Sequence, residues 1–239
     1  MTRITRTRGV ALLGPVVFVI AATVAVAAAA ATGHALAGAP HPKPPSRAVR
    51  AATASARRAL VRRSDLGAGW SAVTAAPPRA ASLTCAADRT VLAAVASATW
   101  SQPSSDVFVS GASYGYKSGA AERRAWARTA TGGMGRCAER LLADGSGHGV
   151  RLRASGVRRL AAPDLAPVAH GVAVRRYRVS GAASGNGQQT TVALDVVLVA
   201  AGTWITEDEF SAAEALPPDA LEARVAGAQV RRIMRSFAH

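Results

Sequence analysis

Between residues 150 and 210 the chain carries apolar runs separated by glycine and polar turn residues, with no helical spacing between them. Runs of this kind, rich in β-branched residues, predict strands. Four follow in succession, at 150–160, 172–179, 190–199 and 203–210. The run at 190–199 is nearly continuous in apolar residues, as expected for a central strand covered on both faces. Ala200-Ala201-Gly202 is short enough to join the last two as a hairpin. Earlier in the chain, residues 106–116, with Val107, Phe108 and Val109, predict a fifth strand.

Helical composition brackets these strands. Residues 49–63 are rich in alanine and arginine, and Gly67 and Gly69 break that helix just before Trp70. Residues 88–98 predict a short helix with Val91, Leu92 and Val95 inward. Residues 120–128 predict another, anchored by Trp126. Gly132, Gly133 and Gly135 weaken the stretch leading to Cys137 and the Leu141-Leu142 pair. Pro217 and Pro218 open a last helix running to residue 237, with Val230, Ile233, Met234 and Phe237 on one stripe. Consecutive strands without intervening helices predict an α+β fold, an antiparallel sheet of about five or six strands packed against helices.

The N-terminus changes the picture by adding an address. Arg3, Arg6 and Arg8 precede an uncharged stretch from 9 to 33 that includes Val16-Val17-Phe18-Val19-Ile20. Small residues at Ala35 and Ala37 follow, completing the pattern of a secretory signal cleaved after Ala37. The stretch is also long enough to span a bilayer as an uncleaved anchor, with the bulk of the chain outside. No cysteine near Ala37 could accept a lipid. The expected organisation is therefore a signal peptide or anchor at 1–37, a proline-rich spacer at 38–48, and one extracytoplasmic domain at 49–239.

Basic residues number 29 against 14 acidic, giving +15, and all but Lys43 and Lys117 are arginine. Removing the leader takes three arginines and no acid, so the charge falls to +12. Such a charge draws a protein toward anionic surfaces, outside the cytoplasm phospholipid headgroups and wall polymers. Arginines scattered over a solvated surface are the plainer reading. Export and the lack of an aromatic–basic motif argue against nucleic acid. Cys85 and Cys137 are the only cysteines, and an even count in an exported chain predicts one structural disulfide. Closing a loop of about 50 residues is worth about 4 kcal/mol before native strain is subtracted.

Candidate chemistry is sparse. Gly111-Ala112-Ser113-Tyr114-Gly115 matches the turn that presents a nucleophilic serine in α/β-hydrolases, and Ser113, Asp164 and His170 occur in the matching order. The sequence around it argues otherwise: Tyr116-Lys117-Ser118-Gly119 intervenes before the helix, no oxyanion segment precedes the motif, and the later strands predict an antiparallel sheet. A strand continuing through Ser113, with Tyr114 and Tyr116 on one face, is the expectation. Glu207, Asp208 and Glu209 form the one acidic cluster, expected as a solvated face beside arginines. His34, His41, His148, His170 and His239 show no metal spacing, and no nucleotide-binding or zinc pattern occurs. No catalytic, metal or cofactor site is predicted.

The helix running into Asp65-Leu66-Gly67-Ala68-Gly69-Trp70, Cys85 after it, the strand through Phe108 and Tyr116, the helix with Trp126, and Cys137 in the next helical stretch form one layout. With its closing hairpin and C-terminal helix, that layout resembles the exported sensor-like domains of actinobacteria, such as the extracellular domains of PknH-type receptor serine/threonine kinases. The resemblance implies an antiparallel sheet flanked by helices, with a cleft considered a ligand site. This chain has one cysteine pair where that domain has two, and its 239 residues include no kinase sequence. The functional expectation is a non-catalytic extracytoplasmic sensor-like domain that binds an envelope ligand or protein. The alternatives are a secreted serine esterase using Ser113 and a basic structural protein of the cell wall.

Overall fold

A computed structural model describes residues 46–73, 85, 90–102, 104–130, 132–144, 150–162 and 171–237. The expected leader at 1–37, and Asp164 and all five histidines, lie outside the described residues. The architecture is α+β. Its eight strands form one antiparallel sheet, and the disulfide joins Cys85 to Cys137.

The chain enters as helix α1, Arg47–Ala59, whose first turn is capped by Ser46: its hydroxyl accepts from the N–H of Val49 at 3.3 Å. A serine N-cap supplies an acceptor to an otherwise orphaned amide, so the helix starts inside the stretch read as spacer. A short helix α2, Arg63–Leu66, follows. Gly67 and Gly69, at φ 88° and 81°, then turn the chain so that Trp70 enters the core. Strand β1 is Ser71–Ala72, β2 Val91–Ala96, β3 Trp100–Gln102 and β4 Val107–Tyr116. Helices α3, Gly119–Thr129, and α4, Gly132–Asp144, come next. Strands β5, Arg151–Leu160, β6, Val172–Gly185, β7, Gln188–Ala201, and β8, Trp204–Ala213, form a meander, and α5, Asp219–Phe237, closes the chain.

The sheet order is β1-β3-β4-β8-β7-β6-β5, with β2 also pairing β4. The helix expected over 88–98 is corrected to the strand β2. Its alanines favour a helix, but β3 covers only the first few residues of β4, leaving the edge from 112 to 116 open. Val91 to Ala96 pair with that edge, and satisfying a row of backbone groups outweighs a propensity of a few tenths of a kcal/mol per residue. Together with the very short β1 and β3, this raises the strand count above five or six. Strands β6 and β7 also run several residues beyond the expected 179 and 190, because Asn186-Gly187, both at positive φ, makes a two-residue hairpin turn.

Helices cover both faces of the sheet. On one, α5 and the α1–α2 corner bury Val107, Val109, Val197, Val199 and Phe210 against Leu66, Trp70, Leu221 and Val225. On the other, α4 and α3 cover Tyr177, Val179, Leu194, Val196 and Leu198, then Ala112, Tyr114 and Ile205. Residues 192 to 201 of β7 are buried throughout, as its apolar run requires.

Candidate functional site

Ser113 lies in the middle of β4, opposite Val95 on one side and Thr206 on the other, and is fully buried. The strand continues through it, with Tyr114 and Tyr116 buried on the opposite face. Nothing here has the form of a nucleophile elbow, which needs a strand-to-helix turn on a parallel sheet. The motif has a packing explanation instead. Gly111, Ser113 and Gly115 alternate onto the α1–α5 face. A Cβ on Gly115 would sit 3.4 Å from the Cβ of Ala52 in α1, and one on Gly111 would meet a carboxylate oxygen of Asp208 at 2.4 Å. Small residues at two-residue spacing are what let a helix lie this close to a strand. The hydroxyl of Ser113 has no hydrogen-bond partner. Ser113→Ala should therefore stabilise the fold by up to about 1 kcal/mol in urea titrations, and the wild-type protein should not react with a fluorophosphonate.

The acidic triplet is corrected from a solvated face to an interior one. Glu207, Asp208 and Glu209 are all buried, at 1%, 1% and 8% exposure. Glu207 and Glu209 point to the α3–α4 face, where the Cys85 N–H donates to the Glu207 carboxylate at 3.1 Å. The disulfide thus fastens α4 to a segment that is itself held on the sheet. Breaking it with Cys85→Ser and Cys137→Ser should cost between about 2 and 4 kcal/mol in chemical denaturation. Burial pushes Glu209 up to about 7 against a hydrogen bond from Ser110. Burial and then the charges of Glu207 and Glu209 push the Tyr114 phenol up. Asp208 points to the other face, accepts from Gln229 Nε2 of α5 at 3.0 Å, and is pushed by burial up to about 8.

A second buried cluster escaped the sequence reading. Arg176 and Arg178 of β6 and Asp195 of β7 meet Asp219 and Glu222 at the start of α5. Arg178 grips Asp195 through Nε at 2.6 Å and Nη2 at 2.5 Å, while Arg176 reaches Asp195 at 2.7 Å, Asp219 at 2.6 Å and Glu222 at 2.6 Å. Burial works against the Asp195 carboxylate, but hydrogen bonds led by Arg178 hold it below its usual value. Burial and then Asp195 itself push Glu222 up to about 9. Two guanidiniums thus face the carboxylates of Asp195 and Asp219, with the proton resting on Glu222. The cluster ties α5 to the sheet. Arg232, which donates to Asp65 and to the carbonyls of Arg58 and Leu60, and Arg224, which donates to the carbonyl of Leu66, tie α5 to the α1–α2 corner.

These arrangements decide where charge is left outside. Among the described residues seven acidic side chains are buried (Asp65, Glu122, Asp195, Glu207, Asp208, Glu209 and Glu222), against two basic ones, Arg176 and Arg178. The surface is therefore more basic than the sequence balance implies. Exposed arginines occur along α1–α2, α3 and α5 as well, but at the margin formed by α4 and the edge strand β5 Arg136, Arg140, Arg151, Arg153, Arg158 and Arg159 are all exposed and neither β5 nor β6 contains an acid.

A groove of about 770 Å³ runs along this margin, with Gly133, Arg136, Glu139, Arg140 and Ala143 on the α4 side and Leu152, Arg153 and Ala154 on the β5 side. Gly133, Arg136, Arg140 and Ala143 fall at spacings of three and four residues, so they form one stripe of the helix. Gly181 of β6 lets the two walls approach: a Cβ there would lie 2.6 Å from the Arg153 carbonyl oxygen and 2.6 Å from Leu142 of α4. A bulge between Ala154 and Gly156 marks the same point of β5, and bulges commonly re-aim an edge strand. The far end of α4's neighbour α3 is fixed separately. Arg175 stacks 4.2 Å over the ring of Trp126 and donates to its carbonyl, and the Tyr177 hydroxyl donates to the Thr129 carbonyl.

Among the described residues no group of His, Cys, Asp and Glu could hold a metal ion, and no helix is long and apolar enough to cross a membrane. No family model matches the chain, and no curated protein matches it. Among solved structures, the extracellular domain of PknH from Mycobacterium tuberculosis is similar over 76% of this chain and 96% of that one, at 10% identity and a TM-score of 0.45.

Proposed function

We propose that this protein is a non-catalytic extracytoplasmic domain of the cell envelope that binds an anionic envelope component in the groove between α4 and β5. The observation that carries this reading is the charge of the groove: Arg136, Arg140 and Arg153 line it against Glu139 alone, while seven acids are withdrawn into the core. A concave site lined by one sign of charge attracts counter-charged ligands more strongly than the same charges spread over a convex surface. The extracytoplasmic placement rests on the leader pattern at 1–37 and on the disulfide, which persists in oxidising compartments. The absence of a catalytic role is supported by the interior position of Ser113.

Sedimentation with isolated envelope tests the reading. Arg136→Glu with Arg140→Glu should lower the bound fraction at least tenfold. The control, Arg123→Glu with Arg124→Glu on the exposed face of α3, has the same net charge and should retain most of the binding. Binding of the wild type should weaken with salt. Equal losses in the two variants would contradict a site and favour a basic structural wall protein held by diffuse charge.

A further inference from the structure

We infer that the occupant of the groove is a linear polyanion of phosphodiester-linked aliphatic units, held as a chain lying along α4; this rests on the groove being the binding site. The shape comes first. Gly133 and Ala143, at the two ends of the helical stripe, carry little or no side chain, so the α4 wall is shallow at both ends of the stripe. The ten-residue step from Gly133 to Ala143 spans roughly 15 Å at the helical rise. An elongated trough of this length accepts several units of a chain laid along it, whereas a flat bilayer cannot descend into it.

The chemistry then selects the class of chain. Arg136 and Arg140 lie one helical turn apart, roughly 6 Å along the axis, so they present charge repeatedly along one line. Guanidinium forks suit phosphate oxygens bidentately. Beside the charges the lining includes Leu152, Ala154 and Ala143, which suit short aliphatic linkers. No aromatic residue lines the groove, so no platform exists on which a nucleic-acid base could stack. Glu139 sits among the arginines and disfavours a ligand of very high charge density.

Titration of the disulfide-intact protein with defined probes tests this. Oligomers of poly(glycerol phosphate) should bind with an affinity that rises at least tenfold from one unit to several. The gain should level off once the groove is filled and should vanish in Arg136→Glu with Arg140→Glu. Inorganic phosphate, a carboxylate polysaccharide, oligothymidylate and vesicles of mixed phosphatidylglycerol and phosphatidylcholine should each bind at least tenfold more weakly. Equal or tighter binding to any one of these overturns the inference about the ligand while leaving groove-dependent envelope binding in place. If envelope binding also survives reversal of Arg136 and Arg140, the proposed function fails with it.

Discussion

Asp195→Ala is expected to destabilise the protein by about 3–5 kcal/mol, the usual cost of removing one partner from a buried ion pair. The reason is local. Arg176 and Arg178 are each 5% exposed, and Asp195 is the one carboxylate that both of them contact at under 3 Å from within the sheet. Removing it leaves two buried guanidiniums with the exposed Asp219 and with Glu222, which normally holds its proton because of burial and Asp195. Without Asp195 the Glu222 value should fall, so Glu222 ionises and recovers part of the loss. The penalty should accordingly be largest in acid and smaller toward pH 8. Denaturant melts of the wild type and Asp195→Ala across that range would read it. A uniform loss of under 1 kcal/mol would mean that the cluster does not hold α5 to the sheet.

The second expectation concerns pH. Asp208 and Glu209, at about 8 and about 7 in the folded protein, are both raised above the values an unfolded chain would give them. A raised carboxyl binds its proton more tightly when folded. Its contribution is therefore fully present below the unfolded value near pH 4 and is lost as pH rises to the folded value. Stability should decline from about pH 5 to about pH 9, with Glu222 adding to the fall, while the contribution of Asp195, held low, is constant over this range and is lost only in acid below about pH 4. Asp208 carries the largest separable share. Its environment contains Gln229, Asp65, Arg232 and Glu209, and burial dominates them. Asp208→Asn preserves the acceptor facing Gln229 and removes the ionisation. At about 1.4 kcal/mol per pH unit, a rise from about 4 to about 8 corresponds to about 6 kcal/mol. The variant should match the wild type near pH 4 and exceed it by several kcal/mol at pH 9. A wild-type profile that rises with pH, or a variant with the same slope as the wild type, would show that the carboxylate is stabilised where it lies.

Much of this was legible in the residues. Period-two and continuous apolar patterns located β4 to β8, and the glycines before Trp70 marked its entry into the core. The Arg178–Asp195 pair could also have been found. Asn186-Gly187 fixes a two-residue turn, and Arg178 stands as far before it as Asp195 stands after it. A single aspartate within the apolar run 190–199 needs such a partner. The burial of Glu207, Asp208 and Glu209 was not legible, because alternation puts them on both faces of a strand and only tertiary packing reveals that both faces are covered. Strand β2 was hidden for a related reason: its alanines are locally helical, and the open edge that recruits it lies some twenty residues further along the chain. The groove was invisible in the same sense. Its arginines occur in two segments of an arginine-rich sequence, and their convergence depends on the close approach at Gly181.

The most direct test of the account is an amide-resolved titration of the isotope-labelled, disulfide-intact protein with solubilised anionic envelope polymer. The predicted result is a set of saturable shifts confined to residues 133–143 of α4 and 151–159 of β5, erased by reversing Arg136 and Arg140. Shifts spread over α1, α3 and α5 alike, or centred on β4 around Ser113, would contradict it.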